Sequence, residues 1–124
     1  MKRNILLAVF LNACLFCCGQ DVEEFSDEYI RELVTYLRPI AVKYHDFEKV
    51  QAFDKALNRN NKKERLFVAG KDVRINKNIS IHTLIHRLIK AGDMGLPIAY
   101  FEAGFQYYFE LSDRKKCIDY YKKA

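Results

Sequence analysis

Apolar residues recur at the three-to-four-residue spacing of an α-helix along most of the chain after residue 26. Five such stretches can be read, separated by residues that cap helices or form turns. The first carries Ile30, Leu33, Val34 and Leu37 on one helical face. A chain patterned in this way folds as packed helices, because each apolar stripe needs a neighbour to cover it.

Capping residues set the expected bounds of the first two helices. Ser26 is a good N-cap for the first helix, and Pro39 is expected to end or kink it near Arg38. Asp46 is expected to cap a second helix, whose apolar face lies within residues 47–57. The polar residues that follow predict its end.

Three further helices are expected in the second half of the chain. Asn78 or Ser80 is expected to cap the third helix, and Gly92 is a fitting stop for it. Pro97 suits the first turn of the fourth helix. The fifth helix is expected over residues 114–124. The sequence therefore predicts a mainly α fold of about five helices, arranged as antiparallel hairpins in a single domain over residues 26–124.

The segment between the second and third predicted helices is the least regular. Its β-branched residues and Gly70 favour extended structure, so the segment is expected to be either an irregular loop or a short β-hairpin near 66–75. This middle segment is also basic. Its charges read either as a solvated loop or as a contact for anionic lipid head groups or an acidic partner, and they comprise Lys62, Lys63, Arg65, Lys71, Arg74 and Lys77.

The first eighteen residues have the order of an export signal. Lys2 and Arg3 precede a short apolar run at residues 5–11. Even when it is carried through Phe16, this run is shorter than the roughly 20 residues that a membrane-spanning helix needs. Residues 1–18 are therefore predicted to be a signal, and residues 19–25 a polar tether.

The cysteines near the start resemble the lipidation site of bacterial lipoproteins. The sequence Leu11-Asn12-Ala13-Cys14 resembles the lipoprotein signal box, and Leu15-Phe16-Cys17-Cys18 is a second candidate. The resemblance implies that the thiol of Cys14, or of Cys18, carries lipid with acyl chains such as palmitate, and that the protein is held at a membrane of the bacterial cell envelope. The alternatives are an ordinary secretory signal that is cut near Gly19, which gives a secreted chain, and an uncleaved anchor with incidental cysteines.

The last quarter of the chain resembles a tetratricopeptide-type repeat. Tyr100, Ala103, Gly104 and Tyr107 match the first helix of such a repeat in type and spacing, while the second helix is matched by Cys117, Tyr121 and Ala124. A connection about one residue longer than the standard one is similar to the Sel-type variant. The resemblance implies a scaffold that binds protein partners and performs no chemistry.

Catalytic and metal-binding patterns are not found in the sequence. His82 and His86 lie one helical turn apart, but Thr83 stands where the zinc-protease motif needs a glutamate. We therefore predict no enzyme activity, no cofactor and no metal site. The formal net charge of +5 falls to +3 without Lys2 and Arg3, which is too small to indicate nucleic-acid binding.

Aromatic residues crowd the fourth predicted helix and cannot all face one core. Most of them are expected to pack against the other helices, while Phe101 and Tyr108, or their neighbours, are expected to be exposed. With Lys62 and Lys63, Phe101 and Tyr108 are the candidate partner-binding residues. Cys117 is expected to be a packed thiol. We predict a membrane-anchored envelope lipoprotein that binds an unidentified protein. The alternative is a secreted or surface-exposed protein that contacts host molecules or anionic lipid through the basic middle segment.

Overall fold

The computed structural model describes residues 23–72, 75 and 78–124, and within these residues it contains six α-helices and no strand. The helices are α1 Asp27–Lys43, α2 Phe47–Ala56, α3 Lys62–Gly70, α4 Ile81–Asp93, α5 Pro97–Leu111 and α6 Arg114–Lys123. The predicted mainly helical fold is confirmed, with six helices where the sequence indicated about five. The predicted signal, with both candidate lipidation cysteines, lies outside the described residues.

The helices pack in chain order as a series of antiparallel hairpins. Each one lies against the next, and α1 also contacts α3. The core forms where α1 to α5 meet, and its fully buried large side chains include Ile30, Leu33, Phe53, Leu66, Phe67 and Leu88. The rings of Phe53 and Phe67 stack with their centroids 5.9 Å apart, which ties α2 to α3.

The predicted capping residues begin the helices as expected. The side chains of Ser26, Asp46 and Ser80 each accept a hydrogen bond from a backbone N–H three residues later. Asp113 does the same for α6, and Pro97 is the first residue of α5. These bonds satisfy N–H groups that a helix start otherwise leaves without partners.

Two helices end later than predicted. Helix α1 continues through Pro39 to Lys43, because Ala41 is buried in the core and its carbonyl accepts from the backbone N–H of Asp46. Gly92 does not stop α4, which ends at Asp93. A Cβ at Gly92 would lie 2.5 Å from the Tyr100 ring, so this glycine serves close packing between α4 and α5.

The predicted β-hairpin near 66–75 is also wrong, because residues 66–70 belong to α3. The charged run before them is not a solvated loop, since it forms the first turn of this helix, with Glu64 and Arg65 both buried. Arg65 donates to the carbonyl oxygens of Ala56 and Phe25 and to the carboxylate of Asp27. It thereby ties the start of α1 to the end of α2.

The α5–α6 hairpin packs through the small residues on which the repeat resemblance depends. A Cβ at Gly104 would lie 2.6 Å from the Tyr121 ring and 3.0 Å from the Cys117 carbonyl oxygen. Cys117 is buried, as expected. The two helices approach closely for this reason, while membership in the tetratricopeptide family stays a prediction.

Candidate functional site: an apolar groove with a charged floor

Two open cavities lie side by side on the molecule and share two lining residues. The first, of about 310 Å³, lies between α1 and the residues that follow α3. The second, of about 300 Å³, lies between the start of α2 and the start of α5, beside Ala124. Asp46 and Lys49 line both cavities. We call the combined surface the α1–α5 groove.

One wall of this groove is an apolar row on α1. Tyr36 and Ile40 of α1 and Tyr44, the residue directly after it, follow each other at four-residue intervals, so their side chains project from one side of the helix. They are 36, 43 and 72% exposed, respectively. Leu33 and Leu37, which also line the first cavity, join this wall to the core. A partner can therefore bury apolar surface here without first disturbing the fold.

The floor of the groove carries an ion cluster around a buried carboxylate. Glu102 on α5 is 3% exposed, and its carboxylate accepts from Lys49 Nζ and, at 2.6 Å, from Lys71 Nζ. Lys49 also contacts Asp46 at 3.2 Å. Three helices or their ends thus meet at one charge, which fixes the position of α5 relative to α2 and α3.

Electrostatics keep this cluster ionised. Burial alone would raise the pKa of Glu102, but the ammonium groups of Lys71 and Lys49 outweigh it and lower the pKa. For Lys49, burial lowers the pKa, but Glu102 and Asp46 reverse the effect and raise it. Asp72, also in the groove lining, accepts from Tyr29 Oη at 2.5 Å. Among the described residues, this cluster has three carboxylates and two ammonium groups, so these residues offer no excess positive charge to an anionic ligand.

Two of the predicted partner-binding residues lie on α5 and are exposed as expected. Phe101 is 46% exposed, lines the second cavity and stacks on Tyr121 with ring centroids 4.6 Å apart. Tyr108 is 43% exposed but lies two turns further along the helix and lines neither cavity. The structure therefore brings Phe101, but not Tyr108, into the groove.

Lys62 and Lys63 lie apart from the groove, at the start of α3. Lys62 is exposed and faces Glu24 at 3.8 Å, while Lys63 is half-buried. Of the other cations in the middle segment, Arg65 is buried and Lys71 pairs with Glu102, while residues 74 and 77 lie outside the described part of the chain. The basic middle segment is therefore no continuous patch of exposed charge within the described residues.

Sequence reasoning missed most of the groove residues. The row of Tyr36, Ile40 and Tyr44 was visible as a four-residue repeat, but it was hidden beside the stronger stripe that builds the core. Glu102 was a second signal, because a carboxylate within the apolar run of α5 needs cations when it is buried. Its partners Lys49 and Lys71 are distant in sequence, and nothing local indicates them.

His82 and His86 are both exposed on α4, one helical turn apart. Over residues 23–72, 75 and 78–124, no three His, Cys, Asp or Glu side chains are grouped so as to hold a metal ion. Over the same residues, none of the helices combines the length and the apolar character needed to cross a bilayer.

Comparison with known proteins gives no match to the chain, whether with family models, curated proteins or solved structures. A functional proposal therefore rests on the residues described above.

Proposed function

We propose that this chain is a membrane-tethered binding module of the bacterial cell envelope, which holds an apolar segment of another protein in the α1–α5 groove. It works by binding and not by catalysis. The observation that carries the proposal is the exposed apolar wall of Tyr36, Ile40 and Tyr44, which stands over a floor whose charges are already paired.

The chemistry of the groove favours a protein segment as its occupant. Exposed aromatic side chains beside a cavity are typical hot spots of protein interfaces, because they bury much apolar surface with few rotatable bonds. The groove runs from Tyr36 past Tyr44 to Phe101, so it suits an elongated ligand with several apolar side chains. The floor supports the proposal further, since described residues with three carboxylates against two ammonium groups do not select small anions.

The expected affinity is modest. Each apolar side chain that a partner buries fully contributes about 1.5–3 kcal/mol. Three anchors would contribute roughly 4.5–9 kcal/mol before the cost of ordering the partner, whereas a micromolar Kd corresponds to about 8 kcal/mol. A membrane tether offsets this weakness, because it raises the effective concentration of both proteins when the partner is held at the same surface.

The tether is tested by intact mass on protein extracted from membranes. We expect loss of the N-terminal segment and the added mass of an acylated glyceryl group on Cys14 or Cys18. A cleaved chain without lipid would contradict the membrane tether, and the partner would then be sought in the medium.

The groove is tested by placing a photo-crosslinking residue at Ile40 or at Val42 in the full chain. Both positions lie on α1 and are similarly exposed, at 43 and 44%, but only Ile40 lines the groove. We expect a discrete crosslinked protein from position 40 alone. Tyr44→Ala should weaken binding of that purified protein about five- to thirtyfold, which corresponds to a loss of about 1–2 kcal/mol from an aromatic contact residue. Identical crosslinks from both positions would refute the groove as the binding site.

A further inference from the structure

The α5–α6 hairpin carries a second apolar surface, which shares Phe101 with the α1–α5 groove but does not include the groove wall formed by α1. Phe101, Phe105 and Phe109 form a row on α5 at four-residue intervals, and Tyr108 lies beside them. Phe105, Tyr108 and Phe109 are 40, 43 and 61% exposed. The Phe105 and Phe109 rings are 4.4 Å apart, so the exposed rings form one patch.

A row on α6 runs alongside this patch. Tyr121 stacks on Phe101, which places it on the same side of the hairpin. Ile118 and Arg114 lie three and seven residues before Tyr121, on the same helical face, and Lys122 follows Ile118 by four residues. Ile118 is 48% exposed. Ile118 therefore borders the aromatic surface, and the basic residues Arg114 and Lys122 lie before and after Ile118 along α6. We call this surface the hairpin face.

Charge is distributed unevenly between the two ends of the described chain. Helix α6 carries five basic residues against the single acidic Asp119, and the basic residues are all exposed. In residues 23–32, by contrast, three of the five carboxylates pair with cations, Glu23 with Arg87, Glu24 with Lys62, and Asp27 with Arg59 and Arg65, so the opposite end has no comparable excess of charge. An anionic surface would therefore attract the α6 end most strongly, which favours one orientation of the chain.

We propose that the hairpin face lies on the surface of a bilayer that contains anionic phospholipid. Phenylalanine and tyrosine side chains enter the boundary between head groups and acyl chains, while the neighbouring Arg114 and Lys122 reach the anionic head groups. The basic border favours this occupant over a second copy of the chain, because two hairpin faces would bring like charges together. The proposal depends neither on lipid attachment nor on the α1–α5 groove.

The chain contains no tryptophan, so a single substitution introduces a unique fluorescent reporter. Phe109→Trp places it on the hairpin face, and Phe47→Trp places it at a comparably exposed position, 65% against 61%, at the start of α2. Both full-length variants are mixed with vesicles of phosphatidylglycerol and phosphatidylcholine, some with bromine on the acyl chains. Because the reporter is local, apolar residues near the N-terminus do not contribute to its signal.

With anionic vesicles, we expect the emission of the Phe109→Trp variant to shift to shorter wavelength and to be quenched by the brominated chains. The Phe47→Trp variant should show neither effect. Quenching that is equal at the two positions, or absent at position 109 when the chain is bound to vesicles, would overturn the proposal. A concentration-dependent shift of the Phe109→Trp emission without vesicles would also overturn it, because a second copy would then cover the face.

The basic border is tested with two double variants of the Phe109→Trp chain, each of which removes two positive charges from a different face of α6. Arg114→Ala with Lys122→Ala removes the border, and we expect about a 25-fold lower partition onto anionic vesicles, at about fivefold per basic residue. The matched control is Lys116→Ala with Lys123→Ala, which changes the net charge equally but removes ammonium groups that lie over the rings of Tyr107 and Tyr120. The partition of this control variant onto anionic vesicles should fall clearly less. Equal losses in the two pairs would show attraction to net charge alone and would refute the assigned face. Circular dichroism of each variant shows whether the helices are retained.

Discussion

Helix α3 and helix α6 have similar lengths and both contain aromatic residues, yet they are buried to very different extents. Every residue of α3 from Glu64 to Gly70 is buried, whereas Cys117 is the one buried residue of α6. Helix α3 has α1, α2 and α4 around it, while α6 packs mainly on α5. The number of neighbouring helices therefore contributes, together with the apolar content, to which residues form the core.

The residues that stabilise the fold therefore lie in a different region from those that are available for recognition. Side chains of α3 contribute to the free energy of unfolding because water is already excluded from them. The exposed rings of α5 contribute little to folding and retain apolar surface that a partner or a bilayer can cover. If the comparison holds, equivalent substitutions in the two regions must have opposite effects on folding and on binding.

The largest expected effect is that of Phe67→Ala. This ring is fully buried against Phe53, so its removal leaves a cavity and should lower the free energy of unfolding by about 3–5 kcal/mol. Phe109→Ala removes the same atoms from a ring that is 61% exposed and should change stability by no more than about 0.5 kcal/mol. Urea unfolding followed by circular dichroism measures both. Similar losses of stability from the two variants would show that the contrast between the buried helix α3 and the exposed rings of the α5–α6 hairpin is false.

Burial of α3 on all sides also explains why the sequence indicated a β-hairpin there. A helix that is covered all round has no polar face, so its short apolar run looks like that of a buried strand. The burial of Glu64 and Arg65 extended the error, because their charges had indicated a solvated loop. The helices with one polar face were predicted well, and their caps at Ser26, Asp46 and Ser80 are confirmed by local hydrogen bonds.

The candidate site was less predictable than the fold, because it is built from distant residues. Exposure of Phe101 and Tyr108 followed from counting the aromatic residues that one helix can bury. The ion cluster did not follow, since Lys49, Lys71 and Glu102 meet only after the hairpins have packed. A local sequence pattern predicts a helix cap or an apolar helix face. It does not predict which residue of another helix will contact that face.

The next largest effect is expected for Glu102→Gln, which tests whether the groove floor belongs to the stable centre. The substitution leaves Lys49 and Lys71 without their shared carboxylate and should cost about 2–4 kcal/mol at neutral pH. The native pKa of Glu102 lies below its ordinary value of 4.5, so the stability gained from ionisation is present above that pH and is lost as the pH falls through the native pKa. The difference between wild type and variant should therefore shrink in acid.

The matched control is the exposed ion pair between Arg38 and Asp54, whose side chains are 45 and 50% exposed. Asp54→Asn should cost at most about 1 kcal/mol, because water already screens the pair. Thermal unfolding between pH 3 and pH 7 compares the two variants. A Glu102→Gln loss that does not change with pH would mean that packing, and not charge, holds this part of the groove.

A smaller effect is expected for Gly104→Ala, which tests how closely the hairpin is packed. The new methyl group would meet the Tyr121 ring and the Cys117 carbonyl oxygen, so we expect a loss of about 1–3 kcal/mol. In the double variant with Tyr121→Ala, the ring is absent, so the loss of stability should be smaller than the sum of the losses from the two single variants. Strict additivity would show that Gly104 and Tyr121 do not interact and that the hairpin is looser than described.

The smallest effect, and the one stabilising change, is expected for Ser112→Gly at the end of α5. Ser112 adopts a left-handed backbone with φ of 52°, which glycine tolerates without steric cost. Relief of that cost is partly offset by the greater freedom of glycine in the unfolded chain, so we expect a gain of about 0.5 kcal/mol. Ser112→Ala keeps the Cβ atom and serves as the control, with no gain expected. Because the turn lies beyond the rings of the hairpin face, the gain should leave vesicle binding unchanged; a simultaneous loss of binding would show that the turn conformation itself positions Phe109.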